Sequence, residues 1–147
     1  MPEGGNHAAF RGNACDVDVV PGWMRGAGRR ECLPGEERSI AETVYFGTNI
    51  PGGGQVSAEE WFAFRDTVIS PRFPDGSTSF KAEGQWRNNL GVTESESTYV
   101  LQVVHSASPE TGRAIGEVAS LYQKKYRQEA VLRVRSASCI SLNRATG

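Results

Sequence analysis

The side chains best able to do chemistry gather in one short run, Lys81-Ala-Glu-Gly-Gln-Trp-Arg87. Lys81, Glu83, Gln85 and Arg87 alternate with Ala82, Gly84 and Trp86, so a strand here sets the four polar groups on one surface. Gln85 and Arg87 are directional donors, and the guanidinium can grip a carboxylate through two parallel hydrogen bonds. Lys81 and Glu83 beside them form a counter-ion or an acid/base pair. Such a set suits a small anionic or oxygen-rich ligand. The plainer reading is an amphipathic strand, with Trp86 packed under helices and its polar neighbours meeting water. Tyr45 and Tyr99 stand in two other strand-like runs and add hydroxyls if their strands face the same way. Tyrosines in strands more often pack with one wet end.

Other chemistries lack their residues. His7 and His105 are far apart and show no ligand spacing, and Cys15, Cys32 and Cys139 form no Cys-x-x-Cys, so no metal site is expected. No Gly-x-Ser-x-Gly elbow is present, and His105 has no evident nucleophile beside it. Gly52-Gly53-Gly54 precedes a helix but lacks the Gly-Lys-Ser/Thr ending of a phosphate loop. No cofactor is called for. Arg72 and Asp75 flank a turn, while Glu94, Glu96 and Ser97 read as a solvated loop. Lysine and arginine total 16 against 17 acids, for a net charge of −1, which argues against a nucleic-acid partner. No run is long and apolar enough to span a membrane.

The elements that must position these residues follow from periodicity. Residues 1–40 are rich in Gly, Arg and Glu without a sustained period and read as a poorly ordered leader; the domain is expected over 41–143. "TVYFGTNI" is a strand ending at Pro51-Gly52. Ser57 and Glu60 form a capping box opening a helix whose stripe is Trp61, Phe64 and Val68, widened by Phe62 and Ile69 and closed by Pro71. Pro74-Asp75-Gly76 is a turn. Thr78–Arg87 is a strand with Phe80, Ala82, Gly84 and Trp86 expected toward the core. Asn88-Asn89-Leu90-Gly91 turns the chain, and Thr98–His105 is a central strand. Ser108, Pro109 and Glu110 open a second helix with stripe Ile115, Val118 and Tyr122. Ala130–Leu142 is the last strand. The order β-α-β-β-α-β predicts an α+β, ferredoxin-like plait: a four-stranded antiparallel sheet with both helices on one face.

Three segments, "ETVYFGTNIPGGGQVSAEEWFAF", "PRFPDGSTSFKAEGQWR" and "RQEAVLRVRSASCISL", resemble the bacterial family catalogued as domain of unknown function 3574. The likeness runs from about Cys32 to Leu142. It implies a ferredoxin-like domain, commonly made with a signal peptide or lipoprotein leader, and implies no activity. In the plait the last strand runs antiparallel beside the first, bringing Cys139 close to the chain entering the first strand, where Cys32 lies. Cysteines at both ends of the domain recur in the family, and a Cys32–Cys139 disulfide is expected, with Cys15 free. Such a bridge points to a periplasmic or extracellular location. The N-terminus lacks the basic start and apolar centre of a signal peptide, which points instead to the cytoplasm.

The resulting expectation is a non-catalytic binding or interaction module using the open sheet face for a small molecule or a second subunit. The alternative is a cofactor-independent enzyme of the dimeric α/β-barrel kind. A homodimer is expected from the exposed sheet.

Overall fold

The computed structural model describes residues 31–144. The expected disorder of the leader, His7 and the free Cys15 fall outside the described residues. Strand β1 (Glu37–Gly47) is followed by helix α1 (Ala58–Phe64), strands β2 (Thr78–Arg87) and β3 (Thr93–His105), helix α2 (Pro109–Tyr126) and strand β4 (Leu132–Ile140). The strands form one sheet in the order β2-β3-β1-β4, with every neighbouring pair antiparallel. This is the ferredoxin-like plait. Strand β1 opens ahead of the boundary expected at residue 41, and the Cys32–Cys139 disulfide (Cα–Cα 5.4 Å) ties the chain entering β1 to β4.

Local chemistry explains both helices. The side chain of Ser57 accepts from the Glu60 N–H while Glu60 accepts from the Ser57 N–H, so two amides at the start of α1 are satisfied reciprocally. Ser108 caps α2 with Pro109 in its first turn, and Arg127 ends it in the left-handed conformation at φ 54°. Past Phe64, the chain of α1 widens into a π turn over Arg65–Ile69 and tightens into a 3-10 turn over Ser70–Arg72. A π turn sets residues five apart on one face. Phe64 and Ile69 are therefore buried together, while Val68 is only partly buried and Phe62 is exposed beneath the Arg65 guanidinium. The expected stripe with Val68 as its third member is corrected on that account.

The core lies between the helices and the central strands. Val44 and Phe46 of β1 and Tyr99, Leu101 and Val103 of β3 meet Trp61, Phe64, Ile115, Val118 and Tyr122. Tyr99 stacks on Trp61 with ring centroids 4.4 Å apart, and Phe46 meets Tyr122 edge-on at 4.8 Å. Aromatic pairs of this geometry add about 0.5–1.5 kcal/mol each beyond their buried area. Burial, with the negative charge of neighbouring ionisable groups such as Tyr126 and Glu96 behind it, pushes the Tyr122 hydroxyl well above its usual range, and it donates to the Gly47 carbonyl at 2.9 Å.

Register then decides which face each edge-strand residue uses. Residues directly opposite in a sheet share a face. Lys81 stands opposite Tyr99 and Ser79 opposite Leu101, so Lys81, Glu83, Gln85 and Arg87 lie on the helix side of the sheet. Phe80, Ala82, Gly84 and Trp86 lie on the open side, with Phe80 opposite Val100. The expectation that Trp86 and Phe80 pack under the helices is thus reversed. Each keeps over two-fifths of its surface exposed. Strand β4 behaves likewise: Leu132 and Val134 share the open face with Tyr45 and Thr43, while Arg133 and Arg135 share the helix side with Val44 and Glu42. The edge strands thus turn their apolar side chains away from the helices, and Lys81 and Arg133 face the helix side instead.

Candidate functional site

A cavity of about 530 Å³ lies at one end of the open face, where β1 and β2 finish and β3 and β4 begin. Its floor is bare sheet. Gly47 and Gly84 carry no side chain, and the vacated space is taken by the Glu96 carboxylate and the Thr98 hydroxyl. A Cβ on Gly47 would stand 2.6 Å from Glu96 Oε2, and one on Gly84 would stand 3.3 Å from Thr98 Oγ1. Cβ atoms do not approach an oxygen as closely as 2.6 Å, so the carboxylate keeps this seat only while residue 47 is glycine, whereas a side chain on Gly84 would crowd the Thr98 hydroxyl. Tyr45 and Trp86 supply aromatic wall, and the loop Asn49–Gly54 closes one side.

The loop is held in place by polar contacts. Asn49 pairs with Gln55 in an isolated bridge, its N–H donates to Glu96 at 3.3 Å, and its side-chain amide donates to the Ser95 carbonyl at 3.4 Å. Gln128 donates to the Asn49 carbonyl at 2.8 Å. Gly52, Gly53 and Gly54 all sit at positive φ, which the loop's tight reversal requires. Thr98 is nine-tenths buried, lines the cavity, and its hydroxyl has no hydrogen-bond partner among the described residues.

The residues expected to bind a ligand are dispersed. Tyr45 and Gln85 line the cavity. Glu83 stands opposite Ser97 and lines a shallower groove of about 620 Å³ next to it, which shares Gly84, Gln85 and Glu96. Lys81 points its ammonium toward the Tyr99 ring, 6.0 Å from the centroid. Tyr99 is core, stacked on Trp61 and unavailable to the open face. Arg87 ends β2 opposite Thr93 and lines neither cavity nor groove. The helix-free face is therefore not the surface that carries Arg87 and Lys81. Arg72 donates to the Val68 carbonyl at 2.8 Å and lies 3.6 Å from Glu117.

The residues that build the cavity were missed because β3 is longer than expected. Thr93–Ser97 belongs to the strand, not to a solvated loop, and Glu94 and Glu96 are placed on the open face by pairing with Trp86 and Gly84. The alternation in "TESESTYV" was the available signal, masked because its polar alternates face both ways.

A second cluster sits on the helix side near β4. The fully buried Glu42 carboxylate accepts from Arg133 Nε and Nη2, each at 2.5 Å, with Arg135 Nε at 3.6 Å and His105 Nε2 at 3.5 Å. Burial raises the Glu42 carboxyl, but the hydrogen bonds and charge of Arg133, with His105 behind them, outweigh it and hold the group below its usual range. Arg133 Nη1 also reaches the Gly112 carbonyl at 3.2 Å, so the cluster clips α2 to β4. Every oxygen of the carboxylate is engaged, and the cluster is a structural clamp.

Comparison with known proteins agrees with the architecture. The family model described as "Protein of unknown function (DUF3574)" matches residues 41–142. No curated protein matches the chain. A phage SAM lyase solved in complex with S-methyl-5'-thioadenosine is similar at 13% identity and TM-score 0.54, over 79% of this chain and 97% of that one. A phage SAM lyase in its apo state gives 12% and 0.53, over 79% and 98%. The periplasmic divalent cation tolerance protein CutA of Archaeoglobus fulgidus gives 12% and 0.39, over 72% and 87%. At these identities the likeness to the lyase structures is one of fold.

Proposed function

This chain belongs to the DUF3574 family of unknown function, whose membership carries no activity with it, and on the geometry of the open face we propose that it is a small-molecule-binding module. The observation carrying this reading is the cavity floored by Gly47 and Gly84, onto which the Thr98 hydroxyl opens without a protein partner among the described residues. The volume of about 530 Å³ lies within the range of sites for small organic molecules.

The reading extends to assembly and location. Phe80, Tyr45, Leu132 and Val134 give all but one of the strands an exposed apolar side chain on the open face, and Val104 supplies the fourth strand. A patch of this kind supports a symmetric homodimer in which the face meets its own copy beside the cavity. The Cys32–Cys139 bridge supports an oxidising compartment, the periplasm or the exterior.

The binding reading is tested by a thermal-shift screen of small metabolites, S-methyl-5'-thioadenosine among them, against the native protein and Gly84→Leu. Leucine at this position fills the cavity beside Thr98. The expected result is at least one compound that raises the melting temperature of the native protein and leaves Gly84→Leu unmoved. Compounds that stabilise both proteins equally bind elsewhere and would contradict the reading.

A further inference from the structure

The cavity has a marked electrostatic character. Glu94, Glu96 and Glu129 line it, and no lysine, arginine or histidine does. The adjoining groove repeats the pattern, with Glu83 and Glu96 and no basic residue. Neither Glu94 nor Glu96 has an ion-pair partner among the described residues: Glu94 accepts from the Asn88 amide at 2.7 Å, and Glu96 from a single backbone N–H. Two other acids show the contrast. Glu42 carries two arginines, and Glu117 has Arg72.

Resting on the reading of this cavity as the ligand site, the geometry points to an organic cation as the ligand class: an ammonium, guanidinium or sulfonium group carried on an apolar or aromatic body. Three features select it. The carboxylates supply negative potential in a concave, partly desolvated space, where a counter-charge is worth more than in open water. Tyr45 and Trp86 line the cavity, and aromatic rings attract cations and accommodate an apolar body. Thr98 offers a hydroxyl to a donor or acceptor elsewhere on the molecule.

A bare metal ion fits poorly. A metal needs several ligand atoms converging on one point. The one such convergence among the described residues is Cys32, Glu36 and Cys139, whose sulfurs are bonded to each other; the cavity acids do not converge. Spread carboxylates beside aromatic rings suit a diffuse organic cation instead. An anionic ligand, the class that Arg87 suggested, would meet only repulsion here.

The test is a two-dimensional NMR titration with three probes sharing one ring: tryptamine (cation), indole-3-propionamide (neutral) and indole-3-propionate (anion). The expected result is tryptamine shifting the amides of Gly47, Gly84 and Glu96 with an affinity about tenfold above the neutral probe, and the propionate weakest of the three. Added salt should narrow the difference, and Glu96→Gln should largely remove it while the neutral probe binds as before. If the neutral or anionic probe binds these amides as tightly as tryptamine, the cation inference is overturned and the cavity reading stands. If none of the three perturbs them, both fall.

Discussion

Glu96 occupies the space that a side chain on Gly47 would need: both carboxylate oxygens lie within 2.7 Å of the position of the missing Cβ. The residues belong to different strands, and the relationship holds only because β3 begins early enough to bring Glu96 alongside the end of β1. Gly47→Ala should therefore push the carboxylate aside without unfolding the domain, since the displaced atoms end a flexible side chain. The expected cost in stability is below about 1 kcal/mol, with a clear shift of the Asn49 amide that now donates to Glu96. An unmoved Asn49 resonance would show that the carboxylate is not seated there.

The disulfide should contribute substantially to the stability of the domain. It joins residues 107 apart in sequence, and the chain-entropy model gives a loop of that length at most about 4.7 kcal/mol. Cys139→Ser should lower the urea midpoint substantially and steepen the slope, because the unbridged denatured chain exposes more surface. The sequence holds 3 cysteines, so denatured, unreduced protein should show one reactive thiol. Three reactive thiols would end both the bridge and the case for an oxidising compartment.

Much of this architecture was legible in the residues. Capping at Ser57 and Ser108, turn chemistry at Pro74-Asp75-Gly76 and the apolar run of β3 are local signals, and each lay where local rules put it. What failed was the assignment of faces on β2. Alternation shows that Phe80 and Trp86 share a side, but not which side meets the helices, because that depends on pairing with β3. The rule that a strand's apolar alternates face the helices breaks at the edge strands, where Lys81 and Arg133 take the helix side. Glu96 and Thr98 escaped notice for a related reason: a cavity made by two missing side chains has no sequence motif.

The Glu42 clamp predicts a definite acid response. The carboxyl sits below its ordinary value of 4.5 in the folded protein. Its contribution to stability is therefore fully present above that value and is lost as pH falls through the lower folded one. Urea unfolding across this acid range should show a steep decline for the native protein and a shallower one for Glu42→Gln. At neutral pH, Arg133→Ala should cost about 3 kcal/mol, the low end for stripping the partner from a buried charge, because Arg133 is partly exposed. A loss within a few tenths of that of a surface substitution would show that the pair is not a clamp.

The open face should also govern assembly. Sedimentation velocity should find a dimer at concentrations well above micromolar, and Phe80→Lys with Val134→Lys should return it to monomer while far-UV circular dichroism is unchanged. A native protein that stays monomeric under the same conditions removes the face as an interface between copies.

The central claim, that the bare sheet floor beside Glu96 is a ligand site, is tested most directly by a high-resolution crystal structure of the protein purified from its native host without added ligand. The account predicts connected non-protein density over Gly47 and Gly84, within hydrogen-bond distance of the Thr98 hydroxyl and alongside the Tyr45 or Trp86 ring. A cavity holding only separate water peaks, with a copurified molecule bound elsewhere on the protein, would contradict it.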